Sequence, residues 1–275
     1  MNKRLKLIFL TSSIICTVLF PSVSWARTVL QEIQQTGVLK VGIRKDAVFF
    51  GYESSGSWTG YCAGFANALA SSLSKQMNTS ISVRAVTSTL PTREGIVRDG
   101  TVHIECGPNT ISREKEVQEN IKYSEPFFVT GTQFIVRAAN KNTSLKNARL
   151  GVLRGSTNIR SVTQAYSEAE IQQFSERSEG VSAAMNGQVT AFAGDSILLI
   201  GEAVRQGVPL SAFEIVPNQP LSCDFYGMIL PTNDTQWQGT VNSFIGGSQG
   251  LQVWGTWFGG FRSYLKGTLD YCKSR

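Results

Sequence analysis

Twice along this chain a short apolar run passes through a polar turn toward a stretch with helical spacing, once from "VLKVGI" at residue 38 and again from "RLGVLRGST" at residue 149. No other feature restricts the fold as much. After the first restart, "FANALASSLSKQM" (65–77) carries apolar residues three and four apart, the spacing that lines one side of a helix, and "SISVRAVT" (80–87) alternates as a strand does. "TREGIVRDG" (92–100) reads as a short helix closed by Gly100, followed by strands "TVHIEC" and "GTQFIVRA" (131–138). After the second restart come helix "NIRSVTQAYS", strand "EIQQFS", helix "SEGVSAAMNGQ", strand "VTAFAGD" and helix "SILLIGEAVRQG". "FEIVPN" and "YGMILP" are strands, and "TQWQGTVNSFIGGSQGLQVWGTWFG" is mostly helical. Strands separated by helices predict an α/β protein with largely parallel sheets, and the restart predicts two lobes of similar plan.

Residues 1–26 read as a cleaved secretion signal. Lys3, Arg4 and Lys6 precede the apolar run "LIFLTSSIICTVLF", and Ser24 and Ala26 take the −3 and −1 positions of a small-residue cleavage site. At about 14 residues the run is short for a membrane span, and no later segment is long and apolar enough to be one. Cys16 follows Ile15, which is too bulky for the usual lipoprotein processing site. Cleavage leaves about 249 residues and takes the formal net charge from +6 to +3, with the cations scattered, so no nucleic-acid partner is expected. Four cysteines remain, Cys62, Cys106, Cys223 and Cys272. An even number in an oxidising compartment predicts disulfides rather than reactive thiols, with three pairings open.

Most catalytic schemes fail on inventory. The single histidine, His103, lies mid-strand, which leaves no free base for a Ser–His–Asp or Cys–His site. The cysteines lack zinc spacing, and no phosphate-binding loop, GxSxG elbow or dinucleotide fingerprint occurs. What remains is a set of small polar and charged residues just past predicted strands. Arg44 follows "VGI", Thr110 follows "ECGPN", Ser156 and Thr157 follow "LRG", and Asp195 follows "AFAG". Hydroxyls and free N–H groups at a helix start suit a carboxylate, an arginine grips one through paired donors, and a lone aspartate suits an ammonium. Together they can hold a zwitterion, most simply an amino acid. Each also has a plainer reading: Ser156, Thr157 and Asp195 as helix caps, Arg44 as a solvated surface cation.

From Val38 to about Phe261 the chain resembles the extracellular solute-binding proteins of polar amino-acid ABC transporters, particularly the glutamate/aspartate-binding group. The resemblance is carried by "LKVGIRKDAVFFGY", "GYCAGFANALA", "ECGPNT", "YSEPFFVTGTQFIV", "LGVLRGST", "GQVTAFAGDSILL", "DFYGMILP" and "WGTWFG", in this order and spacing. It implies the type II periplasmic-binding-protein fold, two α/β lobes joined by a two-strand hinge that close over a ligand. Lobe one would span 27–135 plus 224–275 and lobe two 136–223, with crossings near Ile135–Arg137 and Cys223–Phe225. No cofactor and no catalysis are implied. The implied partners are an amino acid and a membrane ABC permease, for a monomer in the periplasm. Gly64, His103 and Thr190 depart from positions where the family often has aspartate, and mark a divergent branch.

Carried over residue by residue, the resemblance makes Thr110 a binder of the α-carboxylate and amine, and Arg113 the grip on the α-carboxylate after a gap in "SREKEVQENIKYS". Ser156 and Thr157 match a second-lobe loop, Asp195 an ammonium-pairing aspartate, and Phe50 an aromatic against the ligand stem. Arg44 and Arg93 match arginines of the acidic-ligand group. Arg177 aligns ambiguously. The implied fold sets Cys62 and Cys106 on the ligand-facing edge of lobe one and Cys223 at the second crossing beside the C-terminal tail, hence Cys62–Cys106 and Cys223–Cys272. Two other functions use this fold and remain open: a cyclohexadienyl or arogenate dehydratase, and a ligand sensor that signals through a separate receptor.

Overall fold

The computed structural model describes residues 27–54 and 56–274; the expected secretion signal lies outside them. Apolar spacing forms the helices as anticipated. Phe65, Ala66, Leu69, Ala70 and Leu73 bury one side of helix Tyr61–Met77, which ends where Asn78 turns left-handed. Two five-stranded sheets carry the molecule. The first runs Ser82–Ser88, Val38–Arg44, Ile104–Cys106, Ile229–Pro231, Ile121–Tyr123, and the second Glu170–Phe174, Arg149–Leu153, Ala191–Asp195, Thr132–Arg137, Phe213–Val216. Both are mixed, not largely parallel: Ile229–Pro231 in the first and Thr132–Arg137 in the second run against their neighbours. The physical reason is connectivity, because a strand arriving from the other sheet enters without a crossover helix to turn it around.

A two-stranded antiparallel ribbon, Phe128–Thr130 against Asp224–Tyr226, lies between the sheets. The second crossing, near Cys223–Phe225, runs into this ribbon through Asp224–Tyr226. The first comes earlier than 135–137, since Ile135 already pairs with Phe192 and Ile215 in the second sheet. The chain therefore passes over at Gly131, which has no room for a side chain: a Cβ there would lie 2.0 Å from the Ser222 carbonyl oxygen. The pairings Cys62–Cys106 and Cys223–Cys272 are both present, with Cα separations of 5.5 and 5.7 Å.

The large core of the first lobe gathers Leu39, Val41, Phe65, Trp237 and Phe258 around an aromatic cluster, and it also takes in Ile197 and Leu198 from helix Ser196–Arg205 of the second. The second sheet is covered on both sides, with Phe134, Val136, Leu150 and Val152 facing one way and Ile135 and Phe192 the other. That is the period-two alternation of a strand buried on both faces. Among the described residues no helix is long and apolar enough to cross a membrane.

Candidate functional site

The C-terminal ends of both sheets meet at a small cavity of about 30 Å³. Of the residues singled out from the sequence, Arg44, Arg93, Thr110, Ser156, Thr157 and Asp195 all line it. Arg44 is the last residue of its strand, Asp195 the last of its own, and Arg93 opens helix Arg93–Arg98. The plainer readings fail here. Neither Thr157 nor Asp195 caps its helix with its side chain, Arg44 is 1% exposed, and the Ser156 hydroxyl is buried with no hydrogen-bond partner. That leaves its hydrogen-bonding capacity unspent at the cavity wall.

Phe50 and Arg113 are not brought to the cavity. Phe50 is fully buried with its ring against Phe127, Phe128, Tyr226 and Phe258, so it packs the core beneath the site. Arg113 is exposed as the first residue of helix Arg113–Glu119. The preceding loop is pinned to the hinge ribbon by the Ile111 N–H bond to the Phe225 carbonyl and the Thr110–Tyr226 bridge, and Ser112 then caps the helix, which turns Arg113 outward.

Asp195 anchors the second-lobe side. One of its oxygens accepts from Asn158 Nδ2 at 2.7 Å and the other from the Tyr226 hydroxyl, which reaches across from the hinge ribbon. Both donors are neutral, and among the described residues no lysine or arginine forms an ion pair with it, although it is only 6% exposed. Burial, and then the nearness of Asp195, push the Tyr226 hydroxyl well above its usual range, so it stays a donor. Asp224 stands close by on the ribbon. Burial first and the Asp195 charge second push its carboxyl up to about 7, against bonds from Ser222 and Thr110.

Three arginines line the cavity together with Asp195. Arg93 is buried, bonded through Nε to Glu94 at 2.8 Å and through Nη1 to Asn109 at 3.0 Å. Asn109 in turn donates to Glu105, which also accepts from Ser88 at 2.7 Å. Burial raises the Glu105 carboxyl, with Arg44 the main opposing influence. Arg44 forks onto Asp46 at 2.8 and 2.7 Å; burial opposes its charge, but Asp46 and Glu105 outweigh that and raise it. Gly107 allows this packing, since a Cβ there would meet Arg44 Cγ at 2.4 Å. The third is Arg177, the first residue of helix Arg177–Met185, whose Nη1 reaches Asp46 Oδ2 at 3.0 Å. Each guanidinium carries five N–H groups and spends only some of them on these bonds.

Sequence reasoning left Arg177 ambiguous and missed Asn158, Asp46, Tyr226 and Asp224. Asn158 had a signal, as it directly follows the Ser156–Thr157 pair and begins a helix. The others reach the cavity region only through the meeting of the lobes and the hinge. Leu90, Leu153 and Leu198 supply its apolar walls. Among the described residues no group of histidine, cysteine and carboxylate side chains is arranged to hold a metal ion.

A family model described as bacterial extracellular solute-binding proteins, family 3, matches residues 39–249. The chain is 27% identical over 229 residues to the glutamate/aspartate import solute-binding protein of Escherichia coli (strain K12), covering 80% of this chain and 74% of that one. It is 28% identical over 181 residues to the glutamine-binding protein of Geobacillus stearothermophilus, covering 63% and 67%. Among solved structures, an ancestral amino acid-binding protein that is a precursor of cyclohexadienyl dehydratase superposes with a TM-score of 0.71 at 20% identity, over 85% of this chain and 99% of that one.

Proposed function

The chain belongs to the bacterial extracellular solute-binding proteins of family 3, and from that membership we propose that it is the substrate-binding component of an amino-acid ABC transporter, taking glutamate or aspartate between its lobes. It works in the periplasm after loss of residues 1–26, as a monomer without a cofactor, and hands its ligand to a membrane permease. The lobes divide at Gly131 and at the Ser222–Asp224 crossing. Closure is a hinge motion about the ribbon, favoured by contacts that a ligand makes to both lobes at once.

One observation carries the reading: the polarity of the cavity. Asp195 is a buried carboxylate that accepts from Asn158 and Tyr226 and, among the described residues, has no cationic partner, which suits a ligand ammonium. Opposite it, Arg44, Arg93 and Arg177 offer donors to carboxylates, and the Ser156 hydroxyl supports them. Three guanidiniums against one ammonium acceptor favour a ligand with a second carboxylate. Asp46, gripped by Arg44 and Arg177, illustrates the group those two arginines are set to receive. Names of relatives support the class of ligand and divide over its side chain: glutamate and aspartate for one, glutamine for another.

A thermal-shift series with the twenty common amino acids tests this, because a ligand that binds only the folded state raises the melting temperature. The expected result is a shift for glutamate and aspartate that is lost in Arg44→Ala. A shift for glutamine or asparagine alone would replace the acidic reading with an amide one, and no shift at all would overturn both. A dehydratase is the second reading, favoured by one feature, the Asp224 carboxyl that burial and the Asp195 charge push upward beside the cavity. Incubation with prephenate or arogenate is expected to give no turnover.

A further inference from the structure

Asp46 does not line the inner cavity, yet it carries three side-chain bonds from two arginines. It lies two residues past Arg44, on the turn that leaves the first sheet. Both its oxygens are taken by Arg44, through Nε at 2.8 Å and Nη2 at 2.7 Å. The second oxygen also accepts from Arg177 Nη1 at 3.0 Å, and the same nitrogen donates to the Asp46 main-chain carbonyl. Arg177 belongs to a helix that packs on the second sheet, so these bonds span the cleft. The two guanidiniums are 1% and 7% exposed. Asp46 itself is 20% exposed, so the bar is screened by water and salt less than a surface pair, though not fully shielded. Asp46 also borders both larger openings beside the inner cavity, of about 430 and 240 Å³. The Arg44–Asp46–Arg177 bar thus joins the two lobes between these openings.

We propose that Asp46 is a specificity-determining residue: a built-in carboxylate that joins Arg44 and Arg177 across the cleft and competes with any ligand that brings a second carboxylate. This rests on the cavity being the amino-acid site. An anionic side chain must displace Asp46 or share the guanidiniums with it, and two carboxylates crowded into a desolvated site repel. A neutral amide side chain meets no such opposition. Asp46 therefore sets how strongly the protein prefers acid over amide, and the same bonds draw the two lobes together.

Calorimetric titration of glutamate, aspartate, glutamine and asparagine into the mature wild type and Asp46→Asn tests this, with small-angle scattering of both proteins free of ligand. The variant is expected to bind the two acids about tenfold more tightly or better, and the two amides within about threefold of wild type. Its ligand-free radius of gyration is expected to exceed that of the wild type. An equal change for all four ligands, or weaker binding of the acids, would mean that Asp46 only orients Arg44, and would overturn the proposal. If wild type and variant bind none of the four, the amino-acid reading itself fails and takes this inference with it, a result unlike the previous one. Should Asp46→Asn not fold, Arg177→Gln leaves Arg44 its partner and cuts the bar at the other side. An unchanged ligand-free radius in that variant would overturn the proposal too.

Discussion

Asp195 concentrates the site's chemistry in one side chain, a buried carboxylate whose charge is met only by an amide and a phenol. Asp195→Asn keeps the shape and removes the charge, so a ligand ammonium would lie unpaired in a desolvated cavity. The expected loss of affinity is about 2–5 kcal/mol, the usual cost of removing one partner of a buried charge pair, read by titration calorimetry. A loss below about 1 kcal/mol would mean that the ammonium is held elsewhere. At this scale the site was legible where a polar residue closes a strand, because the edge of an α/β sheet brings such residues together whatever else the chain does. Arg44, Thr110, Ser156 and Asp195 were found that way. Arg113 was not, because Ser112 caps the next helix and leaves Arg113 at its exposed start, and single-sequence spacing does not register that. Phe50 and Arg44 look equally able to face a ligand six residues apart. Only the packing of four aromatic rings around Phe50 decides that it faces the core.

Elements were legible where they bury a stripe and obscure where they do not. Helix Arg113–Glu119 has no buried residue and exposes Val117 at 83%, so it carries no apolar period from which a helix could be predicted. "YGMILP" read as one strand divides, its tyrosine ending the hinge ribbon at Tyr226 and its second half joining the first sheet as Ile229–Pro231. The long C-terminal helix likewise breaks at Gly247, whose backbone is extended, into Thr235–Gly246 and Ser248–Phe258. The final helix, Arg262–Lys273, matters through Cys272, which ties it to Cys223 beside the ribbon. The two cysteines are 49 residues apart, so the bridge removes considerable freedom from the unfolded chain. Replacing both by serine is expected to cost about 2–4 kcal/mol, seen as a lower urea midpoint with the slope little changed. An unchanged midpoint would mean that helix packing alone holds the tail.

Across the whole molecule, two carboxylates make stability depend on pH in opposite senses. Arg44 and Arg177 overcome burial and hold Asp46 well below its ordinary range. The unfolded chain binds that proton first as pH falls, so the contribution is present above about pH 4 and lost in more acid solution. Asp224 is raised to about 7. Between about pH 4 and 7 the folded state keeps a proton that the unfolded chain has lost, so its contribution falls as pH rises through that window. Calorimetric scans of the ligand-free protein are expected to find Asp224→Asn more stable than wild type at pH 8 and closer to it at pH 5. In a chain of this size each kcal/mol moves the midpoint by about 2–4 °C. A difference independent of pH would remove Asp224 from the account. The two-lobed plan was readable because one strand-and-helix series starts twice, while the crossing points were not, since a strand looks the same whichever sheet receives it. Gly131 sits at the first of them, with the Ser222 carbonyl oxygen and Pro220 where any side chain would begin. For anyone evolving this protein into a biosensor, a saturation library at position 131 should return glycine alone, and retuned opening must be sought among its neighbours on the ribbon.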